Sequence, residues 1–422
     1  MTAKGARTRG YFAVLSKRGF FLIWIGSILV TTADIVVGVT ITWEIWEVTN
    51  SATAVGLLVS VLSVPRILLE TVVGNLVDIF NRRTLMVVGA SGLAAIAVVL
   101  AMLSGTGPDG RTAITVILVG VLPVASMTFA RARSSLLPRL IADQATLIKA
   151  QALLQTTMEG LSFVAGAVAL LIPVVGRKGL LLTAAVAALG AAGVAAGLAD
   201  VDHGRQGAVA RLPRRLLRGS VSEPLRAIRA DRFLVWFLFI VATSNVPHKA
   251  LTAMMAPAAA AKLGLGAQGY GAVEIATSVG VIAGFLLVGR LLAHADGPKL
   301  ATVGLVWSGL AAILIGVSSG RAAIITFFAV YGLSEGFFLP AYSRYNLAVA
   351  DDVRGRANAA FNVIALLMSP VAQIGAGLVV DHFGVSTLYV GSGLAVLGIA
   401  GIGYAMLVRD HRLSQGRKRN VG

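Results

Sequence analysis

The sequence predicts an all-α, polytopic membrane protein with about twelve transmembrane helices in two sets of six. Of its 422 residues, 57% are hydrophobic and only 13% are charged, and the mean hydropathy is +0.84. A water-soluble domain has about a quarter of its residues charged. Apolar runs long enough to cross a bilayer recur along the chain. The basic residues between them fall mainly on one side, which predicts the orientation.

A basic interval divides the predicted helices into two groups. The first group comprises the apolar runs near 20–45, 53–76, 85–105, 113–131, 149–173 and 178–198. The second group comprises those near 233–258, 268–292, 299–318, 322–345, 357–380 and 385–408. We therefore expect an N-terminal bundle, a cytoplasmic linker and a C-terminal bundle, at 1–199, 200–231 and 232–422. The basic linker is expected to be attracted to anionic lipid headgroups.

The net charge of +17 is explained by topology. If both termini are cytoplasmic, the outer loops receive few basic residues, namely Arg111, Arg177, Lys178, Lys262 and Arg321. This asymmetry is typical of the positive-inside rule and indicates no nucleic-acid partner. The apolar run after residues 1–19 is too long for a signal-peptide core, so we expect a retained first helix. The predicted location is the plasma membrane, that is, a bacterial inner membrane.

A charged stretch separates the second and third predicted helices. It reads Gly74-Asn75-Leu76-Val77-Asp78-Ile79-Phe80-Asn81-Arg82-Arg83. Gly74 permits close approach of backbones, and Asp78 can accept hydrogen bonds from arginines or from a helix N-terminus. Asn81 suits a tight turn. The paired arginines would hold that turn on the cytoplasmic side.

This stretch resembles the loop between helices 2 and 3 of the major facilitator superfamily, whose pattern is G-x-L-x-D-x-x-x-R-R/K. The resemblance implies that superfamily's fold, with two pseudo-symmetric six-helix bundles. It also implies a conformational latch between the halves on the cytoplasmic side, formed by Gly74, Asp78, Arg82 and Arg83. Asn81 stands where the family usually has glycine.

Further stretches are similar to the macrolide-efflux and enterobactin-exporter-like branch of that superfamily. They are Asp34 in helix 1, Ser134–Leu140 after helix 4, Leu263–Gly271 entering helix 8, and Asp352–Arg356 before helix 11. The similarity implies a secondary transporter that exports an amphipathic, drug-, macrolide- or siderophore-like molecule by proton antiport. The implied partners are this substrate, protons and the lipid bilayer.

One stretch departs from the antiporter pattern. Antiporters of this superfamily often carry a Gly-Pro pair in helix 5, where this chain reads Val164-Ala165-Gly166-Ala167. A first alternative is therefore a uniporter, an importer or a lysophospholipid transporter on the same fold. A second alternative is a non-transporting membrane sensor or partner-binding protein.

Ionisable groups inside predicted membrane helices are costly and are therefore candidate functional groups. Asp34 lies near the middle of helix 1, with Thr31 on nearly the same helical face. The candidates for proton coupling or the substrate cavity are Asp34, Glu335, Glu159, Glu274 and His248. Arg66 and Glu70 are four residues apart in helix 2, and we interpret them as an ion pair that satisfies itself.

The resemblance places helices 1, 4, 7 and 10 around a central cavity. The residues expected to line it are Thr31, Trp43, Met127, Phe129, Tyr331, Phe337 and Tyr342. Their apolar and aromatic side chains suit a large, partly apolar ligand.

Several sequence patterns of enzymes are absent. The chain contains no G-x-x-x-x-G-K-S/T, H-E-x-x-H or G-x-S-x-G pattern and no cysteine, and its five histidines are scattered. We therefore expect no enzymatic activity, no cofactor and no metal. Pairs of small residues four apart, such as Gly280 and Gly284, are interpreted as close helix packing within a monomer.

Overall fold

The computed structural model describes residues 14–69, 73, 77, 80–104, 111–141, 143–198, 231–291, 295–349 and 361–419. The regular secondary structure in these ranges is helical throughout. The prediction of an all-α fold is confirmed.

The first half of the chain forms six helices. They are α1 (Arg18–Thr49), α2 (Ala52–Leu68), α3 (Arg82–Leu103), α4 (Arg111–Leu140), α5 (Gln144–Gly160) and α6 (Ser162–Ala196). The second half begins with α7 (Arg232–Ala253), α8 (Met255–Leu263), α9 (Gly266–Leu291) and α10 (Gly297–Val317). It continues with α11 (Arg321–Leu333), a 3₁₀ turn (Ser334–Phe338), α12 (Leu339–Ala348) and α13 (Ser369–Arg419).

The described helices account for twelve membrane crossings. Nine apolar segments are long enough to span a bilayer, and α2 adds a shorter apolar helix. Two of the nine, Lys149–Ala196 and Phe361–Val408, are 48 residues long. Each of these two is interrupted by non-helical backbone, at Gly176 and at Gly384. Each therefore supplies two crossings, which reconciles the nine segments with the twelve predicted helices.

The two interruptions have nearly the same backbone conformation. Gly176 has φ 76° and ψ 155°, and Gly384 has φ 82° and ψ 162°. This region of backbone space is accessible almost only to glycine. The two positions lie 208 residues apart (384 − 176). The sequence similarity between Ala142-Asp143 and Ala350-Asp351 has the same offset, so backbone and sequence indicate the same internal repeat.

The third membrane crossing of each half, α3 in the first and α10 in the second, is also capped in the same way. The Asn81 side chain accepts a hydrogen bond from the Thr84 N–H at the start of α3. The Asp296 side chain accepts one from the Lys299 N–H at the start of α10. Polar N-caps satisfy backbone donors that the helix itself leaves unpaired. Asn81, predicted to lie in a turn, is therefore the N-cap of α3.

The helices pack into two compact units. The first contains the described residues 14–48 and those between 61 and 198; the second contains 49–60 and those from 231 onward. The start of α2 thus groups with the second unit. The predicted bundle boundaries stay a prediction, because the linker lies outside the described residues.

An acid from α13 holds the start of α2 inside the second unit. Asp381 Oδ1 accepts a hydrogen bond from the Ala52 N–H at 2.7 Å. Asp381 Oδ2 accepts from the Thr53 N–H at 2.9 Å and from the Ser51 hydroxyl at 2.8 Å. The carboxylate therefore caps a helix that lies more than 300 residues away in sequence.

Close packing in the second unit depends on glycines. A side chain at Gly280 would overlap the carbonyl oxygen of Ala329, and one at Gly284 would overlap that of Leu333. The predicted pair on α9 therefore contacts α11 within the same chain. An aromatic cluster that includes Trp236 and Phe237 on α7 forms the neighbouring core.

Candidate functional site

The polar face of α1 borders a cavity in the first unit. Ser27, Thr31 and Asp34 recur at helical spacing, so they share one face. All three line a cavity of about 210 Å³. The Thr31 hydroxyl also donates to the sulfur of Met158 on α5 at 3.3 Å, which ties this face of α1 to its neighbour.

Asp34 forms an ion pair with Arg66 on this cavity wall. Arg66 Nη2 donates to Asp34 Oδ2 at 2.9 Å. The Asp34 side chain is 20% exposed and that of Arg66 is 49% exposed. Asp34 Oδ1 is buried and has no hydrogen-bond partner among the described residues. The structure thus gives Arg66 a partner on α1, whereas Glu70, its expected partner, lies outside the described residues.

Helix α4 supplies the opposite wall of the cavity. Ser126, Met127, Phe129 and Arg133 line it. Three residues predicted to line a cavity, Thr31, Met127 and Phe129, are therefore found together. Their contact with a substrate stays a prediction.

A second cavity in the same unit lies between α4 and α5. Its volume is about 500 Å³, and its polar lining includes Ser134, Gln151 and Gln155. Arg133 lines both cavities. The predicted fourth apolar run ends near residue 131, before Arg133. In the structure α4 continues to Leu140, which places Arg133 on the helix.

Three further ionisable or hydroxyl groups meet in the second unit. The Tyr331 hydroxyl and His248 Nδ1 share a hydrogen bond at 2.8 Å. His248 Nδ1 also lies 3.3 Å from Glu335 Oε1. The side chains of His248 and Glu335 are 28% and 40% exposed, whereas Tyr331 is buried. The structure thus brings together His248 and Glu335, which the sequence singled out separately.

The backbone changes at Glu335. The residue lies in the 3₁₀ turn that separates α11 from α12. A stretch of 3₁₀ geometry within a membrane helix often marks a hinge. Glu335 is therefore presented by irregular backbone, whereas Asp34 lies within a continuous helix.

Glu274 lies elsewhere in the second unit, with a tyrosine as its neighbour. It is four residues from Tyr270 on α9, so the two side chains lie on the same face of the helix. Tyr270 is buried. Glu274 therefore has a buried phenol as its neighbour on the helix, whereas Glu335 lies beside the His248 imidazole.

The remaining predicted residues are dispersed. Trp43 is buried on α1, Phe337 packs against Val288 and Leu300, and Tyr342 makes an edge contact with Phe237. Neither described cavity is lined by Trp43, Phe337 or Tyr342. Gly74, Asp78 and the side chain of Glu159 lie outside the described residues.

The described part of the expected latch contacts the first unit. Arg82 Nε donates to the Ser135 hydroxyl on α4. Arg83 donates to the carbonyl of Ala196 at the end of α6. The latch role itself stays a prediction. Within the described residues, no group of three or more His, Asp or Glu side chains could hold a metal ion.

Solved structures share this fold over most of their length. A crystal structure of the nucleoside transporter NupG matches with a TM-score of 0.70 at 12% identity, covering 92% of this chain and 98% of that one. A single-residue mutant of NupG matches with a TM-score of 0.69 at 12% identity, covering 92% and 99%. At this identity the similarity shows the fold alone.

A family model of the major facilitator superfamily, described as transmembrane secretion effector, matches residues 9–419. The chain therefore belongs to that family, which is a class of membrane transporters. The twelve apolar crossings and the internal repeat agree with this assignment. No curated protein matches the sequence.

Proposed function

We propose that this transporter exports an amphipathic small molecule in exchange for protons, by alternating access. The observation that carries the proposal is the Asp34–Arg66 pair on the wall of a cavity. An acid in a membrane helix is costly, and such acids commonly serve ion or substrate pathways. The plasma membrane, with both termini cytoplasmic, is the proposed location.

A proton and Arg66 compete for the same carboxylate. When Asp34 is ionised, it attracts the Arg66 guanidinium, and the pair is neutral as a whole. When Asp34 takes up a proton, the charge attraction is lost and Arg66 is released into the cavity. Protonation therefore changes the contact between α1 and α2. A change of this kind can favour one of the two orientations that alternating access requires.

The cavity surfaces support an amphipathic substrate. The walls near Asp34 include Val30, Met127 and Phe129 as well as hydroxyl groups. The larger cavity combines amides with Leu137, Leu154 and Met158. Pockets that combine an apolar lining with a few polar groups bind ligands with both kinds of surface.

Proton-coupled import is a second candidate, favoured by the same pair. Protonation of Asp34 would leave Arg66 uncompensated and raise the positive charge of the cavity. An anionic substrate and a proton would then bind more tightly together than apart, which is the requirement for symport. Antiport instead requires that the proton and the substrate favour opposite orientations of the transporter.

Everted membrane vesicles test the proposal. Respiration acidifies their interior, and 9-amino-6-chloro-2-methoxyacridine fluorescence reports the gradient. Addition of taurocholate, an amphipathic anion, as a probe should dissipate part of the gradient in vesicles that contain the protein. The Asp34→Asn variant should not respond. Uptake of radiolabelled taurocholate that persists after the gradient is collapsed with nigericin and valinomycin would remove the antiport claim. Acidification of the external medium on substrate entry would contradict import.

A further inference from the structure

Arg133 is a cation at the junction of two cavities. It lies on α4, seven residues before the helix ends at Leu140. It lines both the cavity that contains Asp34 and the larger one beside α5. Among the described residues it makes no hydrogen bond and no ion pair.

The charges on this wall do not balance. Asp34 is already paired with Arg66 at 2.9 Å. Arg133 therefore adds a positive charge that no described acid neutralises. An unpaired cation in a membrane-spanning helix is costly, and such groups usually face a cavity and a ligand.

The surroundings of Arg133 suit an oxyanion. Its guanidinium presents several donors in a planar fork that matches carboxylate, phosphate or sulfonate oxygens. Ser134, Gln151 and Gln155 place hydroxyl and amide groups on the wall of the larger cavity. The cavity of about 500 Å³ is also large enough for the apolar body of a ligand.

We propose that Arg133 binds an anionic group of the transported molecule, so that the substrate is an amphipathic anion and not an organic cation. Leu137, Leu154 and Met158 would contact its apolar part. The inference rests on the proposed function only in that the ligand is amphipathic, and it holds for either direction of transport.

Two probes with the same aromatic body test the charge preference. 8-Anilinonaphthalene-1-sulfonate and N-phenyl-1-naphthylamine differ only in the sulfonate group. Their binding to purified protein in dodecyl maltoside is measured as fluorescence above that of empty micelles. Hydrogen bonds to charged groups predict that wild type binds the sulfonate about tenfold more tightly. Arg133→Gln should lose this preference and keep its affinity for the neutral probe.

Two variants serve as controls. Arg133→Lys retains the charge without the fork and should keep part of the preference. Arg131→Gln removes an exposed arginine of the same helix that lines neither cavity, and it should bind both probes as wild type does. Thermal unfolding of each variant shows that it is folded.

Several results would overturn the inference. One is that Arg133→Gln loses affinity equally for both probes, and another is that this variant keeps the preference for the sulfonate. A third is that Arg131→Gln loses the preference as well. Wild type that binds the neutral probe at least as tightly as the sulfonate would also refute it, while leaving the proposed function intact. Wild type that binds neither probe would count against the amphipathic substrate itself.

A lipid headgroup carries the same oxyanion chemistry as a soluble substrate. Titration with phosphatidylglycerol separates the two sources. The sulfonate should remain bound when this lipid is added at a mole fraction typical of membranes. Displacement in wild type, absent in Arg133→Gln, would assign the residue to lipid and overturn the assignment to a substrate.

Discussion

Arg66 on α2 lies 2.9 Å from Asp34 on α1, and the two residues are 32 positions apart in sequence. The pair joins neighbouring helices on the wall of a cavity, where a ligand or a proton can reach the carboxylate. This separates it from an ordinary surface ion pair, which contributes little to stability.

Replacement of Asp34 should separate proton coupling from ligand binding. Asp34→Asn removes the titratable group but keeps its shape, so we expect proton-driven flux to be abolished while binding of the sulfonate probe persists or strengthens. Flux in vesicles and probe fluorescence measure the two properties. Glu47→Gln is the matched control, because Glu47 lies on the same helix and pairs with Arg177 at 3.0 Å outside both cavities. Unchanged flux in Asp34→Asn would exclude Asp34 as the coupling residue.

The two acids of the second unit should differ in accessibility. Glu335 is 40% exposed beside His248, whereas Glu274 lies one helical turn from Tyr270, which is buried. A water-soluble carbodiimide with glycine methyl ester should therefore modify Glu335 faster, as read by peptide mass spectrometry. Glu335→Gln should remove that adduct. Faster modification of Glu274 would identify it, instead, as the solvent-facing acid.

Asp381 should stabilise the second unit more than a simple helix cap does. It accepts three hydrogen bonds from the start of α2, whereas Asp296 makes one long bond of 3.5 Å to the Lys299 N–H. We expect Asp381→Ala to lower the free energy of unfolding by about 1–2 kcal/mol and Asp296→Ala by about 0.5 kcal/mol. Thermal unfolding in detergent measures both. If both variants lost the same free energy of unfolding, the additional hydrogen bonds of Asp381 would contribute nothing to stability.

The packing of α9 against α11 predicts that alanine substitution at two glycines of α9 has opposite effects on stability. A side chain at Gly280 would overlap the Ala329 carbonyl, whereas a Cβ at Gly289 would meet nothing within 4 Å. Gly280→Ala should therefore lower stability by about 1–3 kcal/mol. Gly289→Ala should raise it by about 0.5–1 kcal/mol because alanine favours helix. A stable Gly280→Ala variant would disprove the close contact.

The absence of cysteine makes the predicted orientation testable by labelling. Ser319→Cys lies in the turn between α10 and α11, and Ser220→Cys lies in the basic interval. If both termini are cytoplasmic, a membrane-impermeant maleimide should label position 319 in intact cells. Position 220 should react only after permeabilisation. The reverse pattern would invert the topology.

The fold could be predicted from the sequence because a long apolar run must match the bilayer thickness and must hydrogen-bond its own backbone groups, which leaves few structures open to it. Contacts between side chains far apart in sequence were harder to predict. The i, i+4 rule offered Glu70 as the partner of Arg66, since it considers one helix at a time, and Asp34 is on another. Nothing local to Asp381 indicates that it caps α2. Arg133 lies beyond the predicted end of the fourth apolar run because hydropathy falls before the helix ends. Asp34 and Glu335 were found because charges within apolar runs are rare.

The matching turns at Gly176 and Gly384 have a stereochemical consequence. Their positive φ with extended ψ is accessible almost only to glycine, whereas the mirror image of these angles borders the extended region of L-residues. A D-amino acid introduced by semisynthesis should therefore be tolerated better at either site than its L-enantiomer, which should strain the backbone. The handedness of a single carbon would then decide whether each pair of helices can fold back on itself.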